Sequence, residues 1–106
     1  MDNTIQFINY RALNHHILGD RKLWESLLSK WVAKDSVLKR TFIGENPKRS
    51  DGDNLSLWFD ANSGRWHDIN SYDAGPDIIS LCAYVHDLSY HKAALRIIEE
   101  MRLSHE

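Results

Sequence analysis

Arginine and tryptophan stand side by side at positions 65 and 66, in a short run with the character of a β-strand. On a sheet surface, an aromatic ring can stack on a nucleobase and a guanidinium can bind a phosphate. Successive residues of a strand face opposite sides of the sheet, so Arg65 and Trp66 cannot both lie on one binding face. We therefore predict Arg65 as the nucleic-acid contact and keep Trp66 as a second candidate, although a place in the core is favoured for the tryptophan.

Four further basic side chains are candidates for binding phosphates. Lys39 and Arg40 belong to a predicted strand, and Lys48 and Arg49 belong to the loop that follows it. If the sheet faces a strand of DNA, these side chains would carry the salt-dependent part of the binding. The alternative is that they are solvated surface groups with no ligand.

Three carboxylates, Asp68, Asp73 and Asp77, suggest a divalent-metal site, because Mg²⁺ and Ca²⁺ prefer oxygen ligands. Their spacing matches no calcium-binding loop, so a structural interpretation is favoured. In that interpretation Asp68 accepts backbone N–H bonds from the 70–76 loop, and Asp77 stabilises the start of a helix. A metal-dependent nuclease that uses the three carboxylates stays a weaker hypothesis. The sequence lacks a Gly-x-Ser-x-Gly motif, a glycine-rich phosphate loop and paired carboxylates placed by a helix, so no enzyme activity, bound metal or cofactor is expected.

Composition limits the class of protein. The chain has 106 residues, a net charge of -2 and one cysteine, Cys82, so no internal disulfide can form and a reducing cytoplasm is expected. No apolar run is long enough to span a bilayer, so no membrane partner is expected. Residues 21–49 carry eight basic and three acidic side chains, whereas residues 50–106 carry four basic and ten acidic ones. The basic middle could form a local phosphate-binding face, or the two halves could simply attract each other.

The pattern of elements predicts a single α+β domain over residues 1–106. A small antiparallel sheet of about three strands should pack on C-terminal helices, with a helical hairpin added at the N-terminus over residues 1–36. Helices are predicted at 4–18, 21–33, 77–86 and 90–103, strands at 37–43, 55–59 and 65–69, and loops at 44–54 and 70–76. Thr4 or Asn3 should cap the first helix. Trp24 and Trp31 lie on the apolar stripe of the second helix, where they form a seam between helices or, if exposed, a partner-binding surface.

Three short motifs occur in a fixed order along the C-terminal two thirds of the chain: Asn-Pro-Lys-Arg at 46–49, Gly-Arg-Trp-His-Asp-Ile at 64–69, and Ala-Gly-Pro-Asp-Ile-Ile-Ser-Leu at 74–81. Residues 37–106 thereby resemble the N-terminal zinc-binding domain of replicative primases. The resemblance is closer to the zinc-free form found in phage and plasmid primase-helicases. The four metal positions of that family fall on Pro47, Ser50, Asp68 and Ser71, and none of them is a thiolate or imidazole, so zinc is not expected here.

The resemblance implies an accessory subunit of a mobile-element or phage primase or primase-helicase. Such a subunit would bind single-stranded DNA or a primer-template, or dock a separately encoded primase, polymerase or helicase. The family's role in choosing where priming starts would fall here on Arg49, Arg65, Trp66 and their neighbours. The alternative is an adaptor or inhibitor that binds a nucleic-acid enzyme and makes no DNA contact of its own.

Overall fold

The computed structural model describes residues 7–48 and 55–104, and the α+β class is confirmed there. Four helices pack with an antiparallel sheet whose five strands lie side by side in chain order. The helices are α1 (Tyr10–Leu18), α2 (Arg21–Trp31), α3 (Ile78–His86) and α4 (Tyr90–Ser104). The strands are β1 (Ala33–Leu38), β2 (Thr41–Glu45), β3 (Leu57–Asp60), β4 (Trp66–Asp68) and β5 (Ala74–Gly75). The prediction of about three strands was therefore two strands short.

The N-terminal helices begin at side-chain caps. The Asn9 carboxamide accepts the Ala12 N–H at 3.0 Å, so α1 begins at Tyr10 and the predicted helix over 4–18 was too long. The predicted caps Asn3 and Thr4 lie outside the described residues. Asp20 stands directly before the helix predicted from residue 21, and it caps α2 by accepting the Leu23 N–H at 3.1 Å. That helix ends two residues earlier than predicted, because Val32 is already extended and leads into β1.

The predicted strand over 37–43 is in fact two strands joined by a tight turn at Lys39 and Arg40. Lys39 adopts a left-handed backbone with φ of 57°, a conformation usually left to glycine or asparagine in such turns. Neighbouring segments hold the turn in place. The Arg40 guanidinium donates to the carbonyl oxygens of Leu18 and Ala61, each at 3.1 Å, and the Arg40 carbonyl accepts the Ala61 N–H at 2.8 Å.

The strands predicted at 55–59 and 65–69 are present as β3 and β4, which pair as an antiparallel hairpin, and Gly64 supplies a positive φ of 82° in its turn. The predicted loop over 44–54 begins later than expected, because Gly44 and Glu45 belong to β2. The predicted loop over 70–76 contains β5, which pairs with β4 and forms one edge of the sheet. Downstream, Asp77 caps α3 in a reciprocal capping box with Ser80.

Alternation along the strands sends one set of side chains towards the helices. Phe42, Leu57, Phe59 and Trp66 are buried there in one hydrophobic cluster with residues of α1, α2, α3 and α4. The helical hairpin is thus part of the same core as the sheet.

Trp24 and Trp31 belong to this core, with 0% and 6% of their surface exposed. Neither side chain presents a surface to a partner, so the partner-binding role predicted for the two tryptophans is corrected to core packing. Among the helices of residues 7–48 and 55–104, none is both long and apolar enough to cross a membrane.

Candidate nucleic-acid interface

The side of the sheet that faces away from the core cluster carries a row of side chains from three adjacent strands. Ile43, Trp58 and His67 are directly opposite one another in the strand register, and we call this row the outer face. The rings of Trp58 and His67 have centroids 6.3 Å apart and planes inclined by 31°. His67 is exposed, whereas Trp58 and Ile43 are partly exposed. Two flat rings on neighbouring strands make a platform on which bases can stack.

Arg65 lies beside the outer face. It is exposed, stands two residues before His67 on the same side of the chain, and lines a shallow groove together with His67. Lys39 is also exposed, and its turn is bonded to the β3–β4 turn through Ala61. Lys39 and Arg65 therefore belong to the same end of the sheet. Two exposed cations at one end of a sheet whose outer face carries aromatic rings suit the phosphates of a bound strand.

Trp66 points the other way, into the core. Only 3% of its surface is exposed, its indole N–H donates to the Ser80 hydroxyl at 2.9 Å, and its ring lies against Tyr84 with centroids 4.7 Å apart. A ring enclosed in this way cannot stack on a base, so the binding role predicted for Trp66 is corrected. Trp58 supplies the aromatic ring on the outer face instead. The period-two pattern of β3, in which Leu57 and Phe59 face inward, could have identified Trp58.

Two of the other predicted cations, Arg40 and Lys48, are engaged within the protein. Arg40 holds the β1–β2 turn through the two carbonyl oxygens described above. The Lys48 ammonium forms an ion pair with Asp87 and lies 5.9 Å from the centre of the Tyr84 ring. Arg49 lies outside the described residues. Of the six residues predicted to bind nucleic acid, the structure places Lys39 and Arg65 at one end of the sheet as exposed cations.

A buried carboxylate organises the opposite end of the sheet. Asp68 is 2% exposed and accepts hydrogen bonds from the Asn46 amide at 2.6 Å, the Ser56 hydroxyl at 3.2 Å and the Asn70 backbone N–H at 2.7 Å. The bond from Asn70 confirms that Asp68 accepts from the 70–76 loop. We call Asn46, Ser56, Asp68 and Asn70 the Asp68 cluster. It joins the segment after β2, the segment before β3 and the loop after β4.

The other two carboxylates of the predicted metal group have separate structural partners. Asp73 accepts a hydrogen bond from the Tyr84 hydroxyl at 2.7 Å, and Asp77 accepts from the Tyr90 hydroxyl at 2.6 Å while it caps α3. Within residues 7–48 and 55–104, no three His, Cys, Asp or Glu side chains are grouped so as to hold a metal ion. The three aspartates do not meet at one point.

The tyrosine hydroxyls act as bridges and stay protonated. Burial, together with the hydrogen bond that it donates to Asp73, raises the pKa of Tyr84. The same two causes, with Asp77 as the acceptor, raise the pKa of Tyr90 to about 12. Tyr84 also accepts from the Asn46 amide at 2.9 Å, which ties α3 to the Asp68 cluster.

Cys82 is expected to resist alkylation in the folded protein. The side chain is fully buried, and burial followed by the nearby Glu100 charge raises its pKa to about 12. Since the thiolate is the reactive species, a thiol reagent at neutral pH should modify native protein far more slowly than protein unfolded in guanidinium. Intact-mass measurement over time checks this. Equal rates in the two conditions would show that the helix pair α3–α4 opens readily.

Comparison of the chain with protein-family models, with curated proteins and with solved structures finds no match.

Proposed function

We propose that this protein binds single-stranded DNA on the outer face of its sheet, as an accessory subunit of a separately encoded primase or primase-helicase of a phage or other mobile element. The observation that carries the proposal is the pair of rings, Trp58 and His67, on adjacent strands with the Arg65 guanidinium beside them. No chemistry on the DNA is assigned to this chain.

The energetics of such a surface favour single strands. Stacking of one base on an aromatic side chain contributes about 1–3 kcal/mol and tolerates any base, because every base has a flat π-face. Bases in a duplex are already stacked and paired, so they are not free to lie on Trp58. Arg65 and Lys39 add phosphate contacts that weaken as salt rises.

The primase assignment rests on the resemblance of residues 37–106 to the zinc-free module, and the Asp68 cluster supports it. Pro47, Asp68 and Ser71 are three of the positions that zinc ligands occupy in the zinc form. Asp68 is the centre of the cluster, and its members Asn46 and Asn70 stand next to Pro47 and Ser71. Hydrogen bonds to a buried carboxylate can hold these segments together where a metal is lacking.

A second candidate function is an adaptor or inhibitor that binds a nucleic-acid enzyme without touching DNA. The specific observation in its favour is that two large hydrophobic side chains of the loop after β4 are exposed. The Tyr72 side chain is fully exposed and Ile69 is 54% exposed. Exposed apolar groups of this size are common at protein–protein interfaces.

Fluorescence anisotropy of a labelled single-stranded oligonucleotide, titrated with the protein at two salt concentrations, tests the proposal. Wild-type binding should weaken with salt. Trp58→Ala should lower the affinity by roughly tenfold, as expected for the loss of one stacked base, whereas Trp58→Phe should retain most of it. Arg65→Ala should lower both the affinity and the salt dependence.

Two variants serve as matched controls. Tyr72→Ala removes an exposed ring that lies off the outer face, and Arg102→Ala removes an exposed arginine of α4. Both should bind DNA like the wild type. Absence of wild-type binding at tens of micromolar protein would reject the DNA-binding proposal and favour the adaptor function.

A further inference from the structure

The edge strand β5 has a backbone position that points away from the sheet. The Asp68 N–H donates to the Asp73 carbonyl at 2.9 Å, so this pair is a hydrogen-bonded pair of the β4–β5 ladder. Hydrogen-bonded and non-bonded pairs alternate in an antiparallel ladder. Trp66 and Gly75 therefore bond to each other, whereas the N–H and C=O of Ala74 are directed outward. Within residues 7–48 and 55–104, β5 pairs with no strand on that outer side.

Two grooves flank this strand, one on each side of the sheet. The first, of about 460 Å³, lies between β5 and α3, and Tyr72, Pro76, Tyr84 and Leu88 line much of it. The second, of about 480 Å³, lies on the opposite side. Arg65 and His67 border this second groove, and it shares four residues with the first, namely Trp66, Ala74, Gly75 and Pro76.

We propose that an extended segment of a partner protein adds to β5 as a sixth strand, with apolar side chains in the first groove and acidic side chains beside Arg65. Successive side chains of a strand point to opposite faces, so one extended segment can fill both grooves with an alternating pattern. The proposal does not rest on DNA binding, although Arg65 borders both surfaces.

The residues that line each groove determine which side chains of the added strand it would bind, the apolar ones or the acidic ones. The first groove presents two tyrosine rings, a proline ring and a leucine, and its carboxylate, Asp73, is already bonded to the Tyr84 hydroxyl. An apolar side chain can pack there against the rings of Tyr84 and Pro76 and the side chain of Leu88. The second groove presents the Arg65 guanidinium, which forms paired hydrogen bonds with a carboxylate better than with any neutral group.

The backbone limits the register of the added strand. Pro76 has no N–H, so pairing cannot continue past β5 in that direction. The partner strand is therefore anchored at Ala74 and extends towards Tyr72. Backbone bonds at Ala74 give affinity, and the two grooves give selectivity for the alternating sequence.

The probe is a six-residue synthetic peptide with capped ends and alternating leucine and glutamate, titrated into ¹⁵N-labelled protein and followed by amide chemical shifts. We expect weak binding, with a Kd on the order of 100 µM. The largest shifts should fall on the amides of Ala74 and its neighbours. A peptide of alternating leucine and lysine should bind at least tenfold more weakly. Equal binding of the two peptides, or shifts confined to other strands, would overturn the proposal.

Two variants sharpen the test. Ala74→Pro removes an N–H that is directed outward from the sheet, so it should abolish peptide binding while the remaining amide spectrum stays folded, and Ala74→Ser should bind normally. Arg65→Glu keeps the backbone and should reverse the preference towards the lysine peptide. Unchanged preference in Arg65→Glu would reject the assignment of the second groove.

Separate titrations with the oligonucleotide and with the peptides distinguish this inference from the proposed function. If the wild-type protein binds the oligonucleotide but neither peptide, only the proposal of an added strand at β5 is rejected. If the wild-type protein binds the glutamate peptide but no oligonucleotide, only the DNA-binding proposal is rejected.

Discussion

Asp68→Ala should lower the free energy of unfolding by roughly 2–4 kcal/mol, which for a domain of this size lowers the Tm by about 10–20 °C. The substitution takes the acceptor away from the Asn46 amide, the Ser56 hydroxyl and the Asn70 N–H together. Buried donors left without an acceptor each cost about 1–3 kcal/mol, and the amide nitrogen of Asn46 keeps only the bond that it donates to Tyr84. Thermal unfolding followed by circular dichroism measures the change.

A graded series shows whether the carboxylate is the centre of the Asp68 cluster. Ser56→Ala removes one donor, bonded at 3.2 Å, and should cost about 1 kcal/mol or less. Asn46→Asp would set a second carboxylate within 2.6 Å of the first and should destabilise the protein strongly. If Asp68→Ala lowers the free energy of unfolding no more than Ser56→Ala does, the carboxylate does not hold together the segments after β2, before β3 and after β4.

The same cluster makes a prediction about metal. A structural zinc site contributes folding free energy, so a chelator lowers the Tm of a protein that depends on zinc. Here a hydrogen-bonded carboxylate occupies the centre, and treatment of the wild type with EDTA should leave the Tm unchanged. A large drop in Tm on chelation would contradict the zinc-free interpretation.

Local chemistry made part of the fold predictable. Gly64 marks the turn between β3 and β4, Asp20 caps α2, and Asp77 opens α3, each through bonds within a few residues of the chain. The β1–β2 turn carries no such mark. Lys39 has a left-handed backbone without being glycine or asparagine, and the neighbouring Arg40 is bonded to distant groups, the carbonyl oxygens of Leu18 and Ala61. Contacts between residues so far apart along the chain produce no periodic pattern in the sequence.

The residues of the candidate site also fall into those that the sequence predicts and those that it does not. Arg65 was predicted as a contact because a charged residue next to a strand tryptophan must face solvent when the tryptophan is buried. Trp58 lies between two apolar residues, so period two places it opposite Leu57 and Phe59, but the sequence does not say which of the two sets faces the helices. The burial of Leu57 and Phe59 assigns Trp58 to the outer face. Lys48 looked free in the sequence, yet it pairs with Asp87, 39 positions away.

Gly75→Ala should be nearly as destabilising as Asp68→Ala, by about 2–4 kcal/mol. A Cβ atom at position 75 would lie 2.3 Å from the Trp66 indole nitrogen and 2.5 Å from the Ser80 hydroxyl oxygen. Those two atoms are joined by a hydrogen bond of 2.9 Å, so the methyl group must break that bond and push a buried ring out of place. Denaturant unfolding measures the loss, and tryptophan fluorescence should report the displaced indole.

Gly19→Ala is the matched control. Gly19 has φ of -77°, and a Cβ there would meet its nearest atom, the His15 carbonyl oxygen, at 3.5 Å, so alanine should be neutral or slightly stabilising. Replacing Trp66 by leucine in the Gly75→Ala background should recover part of the loss, since the colliding indole edge is gone. Double-mutant analysis of positions 66 and 75 gives the coupling directly. Additive effects would mean that the glycine is required for the backbone of β5 and not for the close approach of the Trp66 ring.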